Sequence, residues 1–295
     1  MKLAIVGYGN LGKSLEKEIE KRADCTLVAI YSRRNLDHDK YRPLKSIAEA
    51  HDFDVALLAL GSYNDIMQYS PLFQRLDTVD SYDTHAKITQ YKKELNETKN
   101  ENISIISTGW DPGLLSLARG VFSVGGAKCV TLWGEGVSQG HSNAIRSIRG
   151  VIDAVQFTRP KADAEKRILD GENDSSKLHD RICYVACVSA DKERIEREIV
   201  TMPNYFAGYD TKVIFTTPQQ IRELKKRVAH RGQVINIGDG FHVKTDVKLD
   251  CNTDYTAKIM LDYAKAIPQL KADGYRGALD VYDIPLKYLA SSNLI

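Results

Sequence analysis

The chain contains a glycine-rich segment whose residue types and spacing are typical of a dinucleotide phosphate site. It reads GYGNLG at positions 7–12 and directly follows an apolar run at positions 3–6. Between a strand and a helix, the first glycine permits a tight turn, the second lets the backbone approach a pyrophosphate, and the third allows close helix–strand packing. The helix N-terminus adds N–H donors and a positive dipole end. We therefore predict a cofactor site formed by Gly7, Tyr8, Gly9, Asn10, Leu11 and Gly12.

The residues after the second apolar run distinguish between the two nicotinamide cofactors. An acidic residue about 20 positions past the glycines would hold the ribose 2′-hydroxyl of NAD. That place reads Ser32-Arg33-Arg34. A 2′-phosphate repels carboxylates, whereas guanidinium groups grip it bidentately and lie flat on adenine. We predict NADP, with Gly61 and Ser62 after a later strand as further cofactor contacts; the alternative for the arginines is a solvated basic loop.

The first 112 residues alternate strand-like and helix-like segments, a pattern typical of parallel βαβ units. A polar helix is predicted at about 85–99, and apolar residues at helical spacing follow the glycine motif. The pattern predicts an α/β fold with a Rossmann-type, doubly wound parallel sheet. Its strands are predicted at 3–6, 26–31, 54–60, 78–80 and 103–107.

The rhythm becomes less regular after position 112, which predicts a second, α+β domain at 113–252. Strands are expected there at 129–133, 181–188 and 212–216, with a polar loop at 170–176. A helix predicted at 254–271 has an apolar stripe that can pack back on the first sheet. We therefore assign 1–112 and 253–295 to the dinucleotide-binding domain.

Composition argues against several classes of partner. Lysine and arginine total 41 against 39 acidic residues, so no strong field favours nucleic acid or an anionic membrane. The apolar run at 3–6 is too short for a signal peptide or a membrane span, and the five cysteines form no CxxC pair. We expect a cytoplasmic protein. The histidines form no ligand set with metal-binding spacing, so we predict no metal.

Five further segments together resemble the meso-diaminopimelate dehydrogenase family. The resemblance runs in order over essentially the whole chain, which makes it more specific than any single motif. The segments read VDSYDTH at 79–85, STGWDPG at 107–113, WG at 133–134, GVSQGHS at 136–142 and TMPNYF at 201–206.

The resemblance implies an activity and a set of substrate residues. The family oxidises the D-centre of meso-2,6-diaminopimelate with NADP: an imine forms, and water releases ammonia and L-2-amino-6-oxopimelate. By resemblance the second domain binds substrate and forms a homodimer. The D-amino-acid end would be held by Asp83, Trp110, Asp111, Trp133, Gln139 and Gly140, and the distant L-end by Thr158, Arg181, His230 and Asn252.

These residue types suit a substrate with two amino-acid ends. Asp83 and Asp111 follow strands, can grip an ammonium group and are the predicted catalytic pair, one of which can pass on the amine proton. Arg181 offers a planar fork to a carboxylate. Taken singly, the aspartates could be helix N-caps, the tryptophans core aromatics and the arginine a surface residue. Two positions depart from the family pattern: Lys87 replaces an acid, and Arg231 replaces a glycine.

Two other functions remain open on sequence grounds. The first is an NADP-dependent dehydrogenase or reductase of another D-amino acid, since fold and cofactor do not fix the substrate. A one-ended substrate would not need the distant Arg181. The second is a non-catalytic NADP-sensing module, which would need no carboxylates near the nicotinamide.

Overall fold

A computed structural model describes residues 1–49, 52–61, 65–98, 101–226 and 230–289 of the chain. The chain divides into two compact units. Unit 1 comprises Met1–Leu117 and Thr253–Ile295, and unit 2 comprises Ala118–Asn252. The first division falls inside a continuous helix, Leu114–Phe122, whereas the sequence pattern placed it at 112/113. The roles assigned to the two parts stay predictions.

Unit 1 is built on a seven-stranded sheet in which every strand pair is parallel. The strand order is β14-β6-β5-β4-β1-β2-β3. Strands covered on both faces need continuous apolar runs, and the four residues of β4 are all buried. The predicted doubly wound Rossmann-type sheet is confirmed. Its strands are β1 Lys2–Val6, β2 Thr26–Ser32, β3 Tyr41–Pro43, β4 Val55–Leu58, β5 Thr78–Asp80, β6 Ile103–Ile105 and β14 Gly277–Leu279.

Helices cover both faces of this sheet. One face packs Leu3 and Ile5 against the first and last helices, and the other packs Ala4 and Val6 against side chains that include Tyr91. The C-terminal helix carries buried Met260 and returns to the sheet, as its apolar stripe predicted. The helices are α1 Asn10–Glu20, α2 Asp65–Tyr69, α3 Ile88–Thr98, α4 Leu114–Phe122 and α10 Asn252–Ala272.

Unit 2 contains a four-stranded mixed sheet, order β11-β10-β9-β8, and a three-stranded antiparallel sheet, order β13-β12-β7. Its strands are β7 Lys128–Trp133, β8 Gly136–Val137, β9 Val151–Pro160, β10 His179–Cys187, β11 Asp210–Phe215, β12 His230–Gly238 and β13 Phe241–Leu249. Its helices are α5 Gln139–Arg146, α6 Ala164–Leu169, α7 Ser175–Leu178, α8 Lys192–Val200 and α9 Pro218–Lys226.

The prediction of a polar loop at 170–176 is wrong for its last two residues. Ser175 and Ser176 form the start of α7, because the Asp174 carboxylate accepts the Ser176 N–H at 2.9 Å and so caps the helix. In the part of the chain that the structure describes, no helix is both long enough and apolar enough to cross a membrane.

Candidate active site

The glycine-rich turn between β1 and α1 has the shape that a phosphate cradle requires. Gly7 has φ +95°, and a Cβ there would lie 2.5 Å from the Ala59 carbonyl oxygen. A Cβ at Gly12 would lie 2.2 Å from the Gly7 carbonyl oxygen, which leaves no room for a side chain. Gly9, in contrast, has open space around it and precedes the first turn of α1. The turn therefore fits a pyrophosphate, which needs close approach to the backbone at this point.

The other residues of the turn divide between solvent and protein. Asn10 is exposed, whereas the Leu11 side chain packs against the core, so that only its backbone can serve a cofactor. The Tyr8 hydroxyl donates to Glu16 Oε2, and Glu16 Oε1 lies 2.7 Å from His38 Nε2. Burial and the Glu16 carboxylate raise the pKa of Tyr8 to about 12. Glu16 and His38, which the sequence analysis did not single out, thus tie the glycine turn to the loop after β2.

The two arginines after β2 have defined partners. Arg33 binds the Asp65 carboxylate through both terminal nitrogens, at 3.1 and 2.8 Å, and its guanidinium lies 5.6 Å from the centre of the Tyr69 ring. Arg34 donates to the Tyr8 carbonyl at 3.2 Å. Both side chains remain exposed, and a 2′-phosphate can reach their other donors.

Ser32 and Gly61 support this loop from within the protein. Ser32 is buried, and its hydroxyl accepts the Arg34 N–H at 3.1 Å, so it orients the arginine loop. The Gly61 carbonyl accepts the Asp65 N–H at 3.1 Å at the start of α2. Ser62, the remaining predicted cofactor residue, lies outside the described residues.

The two predicted catalytic aspartates follow β5 and β6, which are neighbours in the parallel sheet. Asp83 is exposed, and Asp111 and Trp110 are half-buried. Thr84 occupies the N-cap position of the following 3₁₀ turn at His85–Lys87, without a side-chain cap hydrogen bond, and Asp83 lies one residue before it. Because parallel strands end at one edge of a sheet, both acids lie at the edge where such sheets bind ligands.

In unit 2, Trp133 ends β7 and is fixed by a histidine that the sequence analysis did not assign. The Trp133 backbone N–H donates to His179 Nε2 at 3.0 Å, and the two ring centres are 5.5 Å apart. His179 Nδ1 lies 2.9 Å from the Ser175 carbonyl oxygen. Burial lowers the pKa of His179, so the neutral ring can accept from Trp133 and donate to Ser175. The predicted Gln139 and Gly140 are exposed at the start of α5.

Thr158 and Arg181 lie directly opposite each other on antiparallel β9 and β10. Arg181 is only 7% exposed, which excludes the interpretation as a solvated surface arginine. Its Nη1 donates to Thr158 Oγ1 at 2.5 Å, and its guanidinium lies 4.3 Å from the centre of the Tyr209 ring. Gln156 Nε2 also donates to Thr158 Oγ1, at 3.2 Å.

Arg181 has the features of a site for an anion. Among the described residues its Nε has no hydrogen-bond acceptor, and no carboxylate forms an ion pair with it. Burial lowers the pKa of Arg181, since the charged form loses hydration there. A carboxylate ligand would restore both the hydrogen bond and the opposite charge.

A half-buried histidine, His141, lies near this arginine. Burial and the positive charge of Arg181 lower the pKa of His141 to about 3. Its Nδ1 lies 2.6 Å from Ser138 Oγ, and its ring contacts the rings of Tyr205 and Phe206 edge-on. The motif GVSQGHS contains this histidine, and its apolar neighbours in TMPNYF were the available signal for burial.

The remaining predicted residues of the distant end are His230 and Asn252. His230 begins β12 and is buried, and this burial lowers the pKa of its imidazole. Asn252 is the first residue of α10 and is half-buried. Unit 2 thus contains Trp133, Gln139, Gly140, Thr158, Arg181, His230 and Asn252, and unit 1 contains the cofactor residues with Asp83, Trp110 and Asp111.

The fold and the glycine turn are those of the Rossmann-type, dinucleotide-dependent oxidoreductases. Residues 109–254 match the family model described as the diaminopimelic acid dehydrogenase C-terminal domain. The chain is 40% identical to the meso-diaminopimelate D-dehydrogenases of Acetivibrio thermocellus, over 98% of this chain and 94% of the relative, and of Corynebacterium glutamicum, over 100% and 97%. The chain belongs to the meso-diaminopimelate D-dehydrogenase family, which confirms the resemblance seen in the sequence.

Comparison with solved structures also finds dehydrogenases of this family. The Corynebacterium glutamicum diaminopimelate dehydrogenase in complex with diaminopimelate has a TM-score of 0.92 at 40% identity, covering 100% of this chain and 97% of that one. An engineered D-amino acid dehydrogenase bound to NADP⁺ has a TM-score of 0.89 at 38% identity, with the same coverage.

Proposed function

We propose that this protein is an NADP-dependent dehydrogenase acting on the D-amino-acid centre of meso-2,6-diaminopimelate. The products are L-2-amino-6-oxopimelate, ammonium, NADPH and a proton, with one water consumed, and the reaction is reversible. The observation that carries the proposal is the buried Arg181, which has no carboxylate partner among the described residues. A substrate with a second, distant carboxylate supplies that partner, and family membership supports this assignment.

NADP binding is assigned to the residues of the glycine turn and the loop after β2. The pyrophosphate is held at Gly7, Gly9 and the N-terminus of α1 (Asn10–Glu20), because the first N–H groups of a helix have no acceptor within the helix. Arg33 and Arg34 hold the 2′-phosphate. The bound NADP⁺ supplies the acceptor for the hydride.

Asp83 and Asp111 hold and deprotonate the amine at the D-centre. Two carboxylates at one sheet edge stabilise the ammonium form and fix its orientation. Hydride leaves readily only from a neutral amine, so one aspartate takes the ammonium proton before transfer. The Cα–H bond then breaks, the hydrogen leaves with the bonding electron pair as hydride, and a protonated imine remains. Water adds to the imine carbon, and the C–N bond breaks to release ammonium as the keto group forms. The indole of Trp110, one residue before Asp111, keeps other water away from the amine.

Unit 2 binds the L-end of the same substrate. Arg181 and Thr158 take its carboxylate, with the guanidinium held flat against Tyr209. His230 and Asn252 contribute hydrogen-bonding groups. Gln139 and Gly140 complete the D-end. A cytoplasmic homodimer formed through unit 2 belongs to the same proposal, and light scattering behind a sizing column checks the assembly.

The test is formation of NADPH by the purified protein, followed by absorbance at about 340 nm. The substrates are meso-, LL- and DD-diaminopimelate and several one-ended D-amino acids, each with NADP⁺ and with NAD⁺. We expect turnover with the meso isomer and NADP⁺, together with equimolar ammonium. Faster turnover of a one-ended D-amino acid would favour the other dehydrogenase function, and coenzyme binding with no turnover would favour the sensing module.

A further inference from the structure

Asp80, a fully buried residue at the end of β5, accepts hydrogen bonds from both strand ends that carry the predicted catalytic acids. One carboxylate oxygen, Oδ1, accepts the Tyr82 N–H at 2.9 Å and the Ser107 N–H at 3.0 Å. The first N–H belongs to the segment after β5 and the second to the segment after β6. A single atom therefore fixes the distance between the two segments.

The backbone carbonyl of Asp80 extends this connection. It accepts the Thr108 N–H at 3.0 Å and the Thr108 hydroxyl at 2.8 Å. Ser107, between these contacts, has φ +59°, a left-handed conformation that is rare for residues with a side chain. The bonds on either side of Ser107 hold that conformation and set the direction in which the chain continues toward Asp111.

The second carboxylate oxygen is held from α3. Tyr91, itself buried, donates its hydroxyl to Asp80 Oδ2 at 2.9 Å, and its ring lies 4.6 Å from that of Tyr82. At least three donors among the described residues therefore converge on one buried carboxyl group. Their geometry leaves Asp80 little freedom to move.

We propose that Asp80 is a positioning residue that holds Asp83 and Asp111 at the separation needed to grip one amine. Asp83 lies three residues beyond Asp80, and Asp111 lies three residues beyond Thr108. A change in the Asp80 contacts is transmitted over the same short distance to each acid. This proposal rests on the proposed function, because it assumes that the two acids act on the same group.

The chain offers a matched control at the other end of the same two strands. Asp77 precedes β5, its Oδ1 accepts the Ile103 N–H at the start of β6 at 2.8 Å, and its Oδ2 accepts from Lys271 at 2.7 Å. Like Asp80, it joins β5 to β6 through a carboxylate and a backbone N–H. Unlike Asp80, it lies at the sheet edge away from the acids.

The experiment compares Asp80→Asn with Asp77→Asn in the purified full-length protein, well below both melting temperatures. NADPH titration gives the amount of folded protein, and kcat is expressed per NADPH site. A displacement of an ångström costs on the order of 100-fold, so we expect Asp80→Asn to lower kcat by roughly 10- to 100-fold, with the NADPH Kd within about twofold. Asp77→Asn should lower the melting temperature and leave kcat unchanged.

A double-mutant cycle separates positioning from general destabilisation. Once Asp83→Asn has removed one acid, the separation that Asp80 sets matters less, so adding Asp80→Asn should lower kcat by less than about threefold. If Asp80→Asn does not fold, Tyr91→Phe removes one donor only and should lower kcat at least threefold. Wild-type kcat in Asp80→Asn, or an undiminished effect in the Asp83→Asn background, would overturn the positioning role alone. A wild-type protein that turns over no diaminopimelate would overturn the proposed function as well.

Discussion

Replacing Arg33 tests the assignment of NADP as the coenzyme. Arg33 has two roles in the proposal: it holds the 2′-phosphate, and it neutralises the Asp65 carboxylate. In Arg33→Ser the 2′-phosphate loses a charged hydrogen-bonding partner. A hydrogen bond to a charged group contributes about 1.5–3 kcal/mol. Because about half of the Arg33 side chain is exposed, we take a loss of about 2 kcal/mol in binding free energy, which raises the Kd of NADPH roughly 30-fold. NADH lacks the phosphate, so its Kd should change less than about twofold.

The same replacement exposes Asp65, the bidentate partner of Arg33. A carboxylate and a phosphate about 7 Å apart in water repel each other by about 0.5–1 kcal/mol. NADPH binding in Arg33→Ser should therefore weaken by about 50- to 150-fold in total. Adding Asp65→Asn should restore about two- to fivefold.

The assay is quenching of protein fluorescence by NADPH and NADH at two salt concentrations. Arg34→Ser serves as the parallel variant, since Arg34 binds the Tyr8 carbonyl and not a carboxylate. Adding Asp65→Asn to Arg34→Ser should not restore any of the NADPH affinity that Arg34→Ser loses. Equal losses for the two coenzymes in Arg33→Ser would refute the 2′-phosphate role.

Three further predictions concern the substrate residues and pH. Arg181→Met should raise the KM for meso-diaminopimelate by about 10- to 100-fold and spare NADPH binding, and an unchanged KM in initial-rate assays would remove Arg181 from the site. Asp111→Asn should lower kcat by about 100-fold or more, and near-normal turnover would contradict its place in the catalytic pair. Burial holds the pKa of His141 at about 3. Because the unfolded chain binds a proton near pH 6.5 and the folded protein does not, stability is full above that pH and falls as the pH drops toward 3, by about 2 kcal/mol at pH 5. Urea unfolding at pH 7 and 5 measures this fall, and His141→Asn should reduce it; an equal fall in wild type and variant would contradict the assignment.

The features that local sequence determines were predicted well. The glycine turn depends on residues adjacent in the chain, and β1 and β4 are short runs of buried apolar residues. The helix predicted at 85–99 begins as a 3₁₀ turn at His85–Lys87 and continues as α3, and its last predicted residue lies outside the described residues. These elements follow from periodicity, which needs no knowledge of the tertiary fold.

The features that depend on distant partners were missed. The sequence analysis predicted no strand at β9, β12 or β13, although β13 alternates polar and apolar residues over Phe241–Leu249. Without β9, the pairing of Thr158 with Arg181 could not be foreseen, since it follows from strand register. The Arg33–Asp65 pair spans 32 positions and the Asp80–Ser107 bond spans 27. Such contacts leave no periodic signal in the chain.

The central claim is that hydride leaves the D-configured carbon of a substrate whose L-end is bound to Arg181. Two samples of meso-diaminopimelate, deuterated at either the D- or the L-α-carbon, test it most directly by mass spectrometry of the coenzyme formed. The account predicts deuterium in NADPH from the D-labelled sample alone. Transfer from the L-labelled carbon, or reduction of the coenzyme without label from either, would contradict it.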